Sequence, residues 1–242
     1  MAESSKHVRF ASTQWSIVLR ATGRTERDDS GALQALCQTY WYPLYAFARR
    51  RGNDAASAED LTQAFFAELI QKNSLGTADP TRGRFRTFLL TLFRRFLTKQ
   101  QQREATLKRG GGTSVISIDS AAVEQRYALE PADEWTPEAL YERRWALQLL
   151  DLVMEQLKAE YVGKGQGEFF EVASAGIGQS RTKSDDASAQ LAMSASAYRV
   201  ALHRLRKRYR EILHQEIART LEDPADLESE IACLQNAIRG NS

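Results

Sequence analysis

Few features of the sequence point to secretion, membrane insertion or disulfide bonding. The 242 residues include only two cysteines, Cys37 and Cys233, which lie far apart among apolar, helix-forming residues. We therefore expect buried thiols in a reducing compartment. No apolar run approaches the roughly 18 residues that a membrane span requires, and the first residues, MAESSKHVRF, lack the apolar stretch of a secretory signal. The sequence predicts a cytoplasmic protein that does not bind membranes.

Catalytic and metal-binding patterns are also missing. The three histidines are scattered, with no Cys or carboxylate at ligand spacing. Asp185 and Asp186 are adjacent at a predicted helix start, where carboxylates favour the helix dipole rather than form an acid–base pair. A Gly-x-Ser-x-Gly elbow does not occur. We expect no catalytic residues, no metal site and no cofactor, and hence a protein that is not an enzyme.

Positive charge is modest overall but clustered locally. The formal net charge is +2, so affinity for nucleic acid has to come from clusters rather than from the total. One cluster, residues 82–109, contains nine Lys or Arg and one acid, Glu104. Its basic residues are interleaved with aromatic ones. This combination suits the phosphates and unstacked bases of a melted strand.

A helix-turn-helix pattern carries the second basic cluster. Between Arg199 and Arg210 there are six Lys or Arg and no Asp or Glu. Apolar residues at three- and four-residue steps predict a helix with one core face, formed by Tyr198, Ala201, Leu202, Leu205, Tyr209, Ile212 and Leu213. Ser194 is a good N-cap, and a short helix of small residues ends just before it. Such a pair inserts its second helix into the DNA major groove, although a basic face that is merely solvated is the alternative.

Helical periodicity in the rest of the chain predicts an all-α fold. The predicted helices lie at residues 13–22, 33–48, 58–71, 85–108, 137–162 and 227–238. Pro43 is expected to kink the second of these helices or to begin a new one. The last helix has an apolar stripe, formed by Leu227, Ile231, Leu234 and Ile238, which we expect to pack on its own domain.

A break in the periodicity divides the chain into two helical domains. Residues 110–137 begin with a glycine triplet and are poor in helical period, which predicts a flexible linker with a short extended piece at Ser114 to Ile118. The predicted organisation is an N-terminal helical bundle at 1–109, the linker at 110–137, a helix-turn-helix domain at 138–214 and a helical extension at 215–242.

The helix predicted at 58–71 has two faces that carry large side chains. One apolar stripe is formed by Leu61, Phe65 and Leu69, and a second, mixed stripe by Glu59, Gln63, Phe66 and Ile70. A mixed stripe is typical of a surface that meets a protein partner, but packing inside the protein's own domain explains it equally well. The aromatic residues at 40–47 have helical spacing, which favours core anchors over base-stacking side chains.

Taken in order, these parts resemble the extracytoplasmic-function (ECF) group of bacterial sigma factors, the transcription-initiation subunits of RNA polymerase. AEDLTQAFF is similar to that family's core-binding helix, DPTRGRFRTFLLTLFRRFL to the segment leading into promoter melting, and LAMSASAYRVALHRLRKRYREIL to its helix-turn-helix. The resemblance covers nearly all of residues 13–213. It implies an alternative sigma factor that binds core polymerase, recognises promoter DNA and stabilises strand opening.

The resemblance also implies contacts for particular residues. The polymerase core would be met at its flap and at the clamp coiled coil of its largest subunit, the latter by Glu59, Asp60, Gln63 and Phe66. The melted minus-ten element would meet Arg95, Thr98, Lys99 and Gln102. The minus-thirty-five element would be read by Ser196, Arg199, Val200, His203, Arg204 and Lys207, and Arg is well suited to guanine edges. Further expected partners are an anti-sigma factor, or a kinase acting on Thr62 or Thr98, with ordinary surface threonines as the alternative.

Two features depart from the family pattern. Ala192 stands where the turn usually has a glycine, and the first helix of the pair offers Asp185, Asp186 and Ser188 in place of large apolar residues. Such a helix buries little apolar area, so we expect a loosely packed C-terminal domain or a shifted first helix. Two rival functions stay open: a stand-alone helix-turn-helix regulator that dimerises through 227–238, and a helical adaptor that binds only protein.

Overall fold

The computed structural model describes residues 29–72, 75, 84–106, 120–130, 135–177, 184–218, 221 and 224–240. These residues form helices and no strand, which confirms the predicted all-α fold. The helices are α1 Asp29–Arg50, α2 Ala55–Gln71, α3 Phe85–Thr106, α4 Ser120–Ala128, α5 Pro137–Gly163, α6 Gly167–Ser174, α7 Ser184–Gln190, α8 Ala195–Ala218 and α9 Leu227–Arg239, with a 3-10 turn at Pro224–Asp226. Within these ranges no helix combines the length and apolar character of a membrane span. The helix predicted at 13–22 and the extended piece predicted at 114–118 lie outside them.

The chain forms two compact units. The first comprises Met1–Ala146 and Ala218–Ser242, and the second comprises Leu147–Ile217. Helix α5 therefore contributes its first turns to one unit and its remainder to the other. The first unit extends beyond the boundary near residue 137 that the sequence predicted, and it includes most of the segment 215–242 that the sequence set apart as a helical extension.

Aromatic side chains of α1, α2 and α3 form much of the core of the first unit. Phe65 of α2 meets Phe93 of α3 at 4.9 Å between ring centroids, and Phe47 of α1 meets the same ring at 6.0 Å. All three rings are buried, and edge-to-face contacts at such distances add to the gain from apolar burial. The prediction that the aromatic residues of α1 are core anchors is confirmed.

Helix α1 continues through Pro43, where the sequence predicted a kink or a new start. A proline inside a helix costs about 3 kcal/mol relative to alanine. The neighbouring side chains of Tyr40, Leu44 and Phe47 are all fully buried. Their packing holds the helix in place and outweighs the local cost of the proline.

Part of the predicted flexible linker is the ordered helix α4. Its Glu124 accepts hydrogen bonds from the Tyr45 hydroxyl at 2.5 Å and from Arg49 Nη2 at 2.6 Å, both on α1. Just beyond α4, Glu130 accepts a hydrogen bond from the Tyr42 hydroxyl at 2.7 Å. The segment is therefore attached to the first unit by side-chain hydrogen bonds of high sequence separation.

The tail helix α9 is attached to the start of α3. Its buried stripe consists of Glu230, Leu234 and Ala237 instead of the purely apolar stripe predicted from the sequence. The carboxylate of Glu230 pairs with Arg84, just before α3, and with Arg86 in its first turn. A charged residue thus occupies the first buried position of this helix.

The second unit has one core to which the later part of α5 and helices α6 and α8 contribute. Its buried residues are Val153, Leu157, Tyr161, Phe170, Ala173, Tyr198, Leu202, Leu205 and Ile212. On α7, Ser188 is buried, while Ala187 and the following Leu191 pack on this core only in part. The first helix of the pair therefore docks through small side chains.

A tight turn, residues 191–194, joins α7 to α8. Ser194 caps α8, because its Oγ accepts a hydrogen bond from the backbone N–H of Ala197 at 3.2 Å. Ala192 has a φ of 51°, the one positive φ of a non-glycine residue within the described ranges. This is the conformation for which a glycine is normally preferred, and it explains why glycine is usual at this position.

Candidate nucleic-acid interface

The partner-binding residues predicted on α2 divide into surface and buried positions. Asp60 is exposed and Glu59 is half-buried. Gln63 is only 9% exposed, and its amide donates a hydrogen bond to Glu59 Oε1 at 3.1 Å. The amide therefore orients the Glu59 carboxylate, which leaves Asp60 as the exposed acid of this predicted set.

Phe66 does not lie on the surface. Its side chain is fully buried and meets Phe65 at 5.6 Å between ring centroids. The predicted contact between Phe66 and a partner is therefore corrected: Phe66 is a core residue of the first unit. The exposed apolar residue on this helix is Ile70, which is 38% exposed.

The two threonines considered as modification sites differ in accessibility. Thr62 is fully buried, and its hydroxyl donates to the Ala58 carbonyl at 2.7 Å. Thr98 is exposed, and its hydroxyl donates to the Arg94 carbonyl at 3.0 Å. Thr98 is therefore accessible to a modifying enzyme, whereas Thr62 is not.

The strand-binding residues predicted on α3 share one face. Arg95, Thr98 and Gln102 are exposed and Lys99 is half-buried, and their spacing of three and four places them in a row along the helix. The apolar residues Phe93, Phe96 and Leu97 lie in the core. From Arg94 onwards the basic residues of α3 therefore lie off its buried side, while the interleaved aromatic residues Phe93 and Phe96, which the sequence offered to unstacked bases, are core residues.

A groove between α2 and α3 runs beside this row. It has a volume of about 160 Å³ and is lined by Phe65, Glu68, Leu69, Leu92, Arg95, Phe96 and Lys99. Its walls are aromatic and aliphatic, while Arg95, Lys99 and Glu68 bring charge to it. Such a combination of apolar surface and cations suits an unstacked base with its phosphate.

Glu68 of α2 restrains the cations near this groove, a role that the sequence did not indicate. One of its oxygens pairs with Lys72 and lies 3.4 Å from Lys99 Nζ. Hydrogen bonding by Lys72 holds the pKa of the Glu68 carboxyl below its usual range, so the carboxylate is charged at neutral pH. A strand phosphate near Lys99 would compete with Glu68.

Several arginines of the 82–109 cluster are neutralised by the chain's own carboxylates. Arg84 Nε lies 2.6 Å from Glu230, and Arg86 pairs with both Glu230 and Glu142. Burial by itself lowers the pKa of Arg86, but these two carboxylates outweigh it and raise that pKa, so Arg86 stays charged. The prediction that the whole cluster faces nucleic acid is thereby corrected for its N-terminal end.

The recognition residues predicted on α8 all lie at the surface: Ser196, Arg199, Val200, His203, Arg204 and Lys207. Val200 is 52% exposed, which suits contact with an apolar group such as a thymine methyl. The spacing of three and four residues places the set on one face of the helix. This face is open for contact with a duplex.

Two arginines of the same run have structural roles instead. Both Nε and Nη2 of Arg206 donate to the Gly176 carbonyl, at 3.2 and 2.7 Å. Arg208 forms two hydrogen bonds with Glu160, at 2.8 and 2.6 Å. The cations of α8 therefore divide between inward partners and one outward row, and the alternative of a merely solvated face now concerns only that row.

Within the described ranges no cluster of three or more His, Cys, Asp or Glu side chains could hold a metal ion.

No curated protein and no solved structure matches the chain significantly. Residues 36–105, which include α2 and nearly all of α3, match the family model of Sigma-70 region 2. This part of the chain is a Sigma-70 region 2 domain, and its presence supports a place for the protein in the RNA polymerase sigma factor family.

Proposed function

We propose that the protein is an alternative, ECF-type sigma factor that acts in the cytoplasm. It binds core RNA polymerase through α2, holds the opened minus-ten strand with α3 and reads the minus-thirty-five duplex with α8. No residue of the chain catalyses a reaction in this role. The ECF assignment rests on the resemblance of the three motifs in their order.

One observation carries this proposal. The exposed row of Arg95, Thr98, Lys99 and Gln102 lies on α3, inside the segment that matches Sigma-70 region 2. Arginine and lysine bind strand phosphates, and the apolar groove beside the row accommodates an unstacked base. The same helix buries its aromatic residues, so the row is held on a rigid support.

The polymerase contact is proposed for the exposed acid Asp60, with Glu59 and Gln63 beside it. An acidic surface suits a partner surface rich in Lys or Arg, where complementary charges speed association. Phe66 contributes by fixing α2 in the core. The flap of the polymerase and an anti-sigma factor are further partners that the sigma factor family implies.

Duplex recognition is proposed for the outward row of α8. Arg199 and Arg204 present guanidinium groups that suit the O6 and N7 atoms of guanine, and each good pair discriminates by roughly 1–3 kcal/mol. Arg206, bonded to the Gly176 carbonyl, and Arg208, paired with Glu160, hold the helix in its unit. The split between arginines with structural partners and arginines at the surface supports a face that recognises bases, rather than one that binds DNA through charge alone.

Retention of purified core polymerase tests the proposal. The full-length protein should retain core enzyme, and Asp60→Ala combined with Gln63→Ala should weaken retention, whereas Glu155→Ala at an exposed position of α5 should not. Run-off transcription with core enzyme should then start at defined sites and depend on Arg199 and on salt. Failure to retain core polymerase would overturn the proposal.

The rival of a dimeric regulator is less well supported. It requires a free apolar stripe on α9, but Leu234 and Ala237 are buried and Glu230 is paired within the same chain. The rival of an adaptor that binds only protein leaves the outward rows of α3 and α8 without a role. Strand binding that is lost in Arg95→Ala would exclude the adaptor.

A further inference from the structure

The contact between the tail helix and the head of α3 is built around one buried carboxylate. Glu230 is fully buried, and its two oxygens meet Arg84 Nε at 2.6 Å and Arg86 Nη1. Arg84 also reaches Cys233 Sγ, one turn further along α9, at 3.5 Å. The end of α9 is also closely packed, because a side chain at Gly240 would collide with the Trp135 ring.

Stability alone is a weak reason for this arrangement. Removing charges from water costs energy that a buried ion pair only partly recovers, so apolar residues of similar volume often stabilise as well or better. A short helix of this kind is also only marginally stable unless it is packed. The two arginines instead make this position at the head of α3 selective for an anionic group.

Arg86 has two partners besides Glu230. Its Nε lies 2.6 Å from Glu142, and its guanidinium stacks on the Trp145 ring at 4.1 Å from the centroid. Arg84 is about one-third exposed already. The two guanidinium groups are therefore held side by side, and departure of α9 would open them to solvent without dismantling the head of α3.

A carboxylate and a phosphate make similar demands on such a pair. Both offer two oxygen acceptors and negative charge, and guanidinium groups bind either with charge-assisted hydrogen bonds. The pair lies at the head of the helix that carries Arg95 and Lys99. We propose that the head of α3 is a phosphate site for a nucleic-acid strand, and that the tail helix α9 occupies it as an autoinhibitory cover. This inference rests on the proposed function, which it extends by a site and its regulation.

The affinity for a single strand, measured as a function of salt concentration, tests whether α9 covers the site. The full-length protein and its variants are titrated with a fluorescein-labelled single-stranded oligonucleotide of mixed sequence, with anisotropy as the readout. Glu230→Gln removes the anion, and Leu234→Gln loosens α9 without changing net charge. Glu228→Gln, at an exposed position of the same helix, is the matched control for the added positive charge.

Both opening variants should bind the oligonucleotide more tightly than the parent, by about threefold or more near 50 mM salt, because Arg84 and the side of Arg86 that Glu142 does not hold become available. Each phosphate gained steepens the plot of log affinity against log salt by about 0.7, so one added site should change the slope by roughly 0.7. Glu228→Gln should leave the slope unchanged. Adding Arg84→Gln to Glu230→Gln should remove about half of the gain.

Equal slopes for Glu230→Gln and Glu228→Gln would overturn the inference. Loss of helical circular dichroism in both opening variants would overturn it as well, since α9 would then be a structural brace. Polymerase retention, measured on the same proteins, keeps the two proposals apart. Retention without a gain in strand affinity refutes only the cover, whereas a gain without retention refutes only the sigma-factor role.

Discussion

The hydroxyl of Tyr45 donates a hydrogen bond of 2.5 Å to Glu124, a residue 79 positions further along the chain. The same carboxylate accepts from Arg49 Nη2 at 2.6 Å. Burial, and after it the hydrogen bond to Glu124, raise the pKa of Tyr45, so this hydroxyl is protonated and donates at neutral pH. One carboxylate therefore attaches α4 to α1.

Glu124→Gln should destabilise the first unit and loosen α4 in particular. A hydrogen bond to a charged group contributes about 1.5–3 kcal/mol, and the partial exposure of this carboxylate favours the lower end. Hydrogen exchange of the α4 amides and denaturant unfolding measure the effect. Gln125→Ala, at an exposed position of α4, serves as the control.

The contribution of Glu124 should also depend on pH. Burial would raise the pKa of Glu124, but the hydrogen bonds from Tyr45 and Arg49 outweigh it and lower that pKa. The stabilisation is therefore complete above the unfolded pKa of about 4.3 and is lost as pH falls through the lower folded value. The difference in unfolding free energy between parent and Glu124→Gln should be constant from pH 6 to 7 and shrink with further acidification below about pH 4. A difference that grows on acidification would contradict this assignment.

Phe66 and Asp60 should separate stability from partner binding. Phe66→Ala should lower the free energy of unfolding by about 3–5 kcal/mol, because it leaves a cavity in the core. Asp60→Ala, at the surface, should change it by about 0.5 kcal/mol or less while weakening polymerase retention. Phe66→Leu should fold and retain polymerase, and its failure to retain polymerase in a stable fold would restore Phe66 as a contact residue.

Arg204 and Arg206 offer a matched comparison on α8, since replacing either by alanine removes one positive charge. Arg204→Ala should weaken duplex binding and reduce the salt slope by about 0.9, with little effect on unfolding. Arg206→Ala should instead destabilise the second unit, because the Gly176 carbonyl loses both donors. Arg206→Lys keeps the charge but not the fork, so it should also lose stability. Full stability in Arg206→Lys would contradict the structural role.

Ala192→Gly should stabilise the second unit. An L-residue in the left-handed region costs about 1–2 kcal/mol, and glycine removes this cost. Glycine also raises the entropy of the unfolded chain, which offsets part of the stabilisation. We expect a net increase of about 0.5–1 kcal/mol in unfolding free energy. Ala189→Gly, inside helix α7, should have the opposite sign. Equal effects at the two positions would show that the turn is not strained.

The hydrophobic periodicity of the sequence and its helix-capping residues predicted most of the fold. The N-cap at Ser194, the helix start at Pro137 and the inward face of α8 follow from local chemistry, and the structure has each of them. Helix α4 was not predicted, because its nine residues acquire stability from Tyr45 and Arg49, which lie far away in sequence. Tertiary hydrogen bonds of this kind leave no periodic signal.

The surface residues were harder to predict than the helices. The stripe that contains Phe66 fits both a core and an interface, and only the packing of α2 on its neighbours distinguishes them. The basic cluster at 82–109 looked uniform because charge alone does not show which arginines have carboxylate partners. Glu230, one of two acids in residues 227–238, would have been an informative exception. It lies three residues after Leu227 and four before Leu234, on the apolar face of the helix, where a carboxylate needs a cationic partner.

The ion pair between Arg86 and Glu230 spans 144 residues, and this separation sets an order of events during synthesis. At about 5–20 residues per second, a ribosome needs roughly 7–30 s to extend the chain from one partner to the other. During that interval the nascent first unit carries Arg84 and Arg86 without their tail carboxylate, while Glu142 reaches Arg86 much earlier. Each newly made molecule thus passes through an interval in which Arg84 and Arg86 lack Glu230, and this interval ends only after α9 has been synthesised.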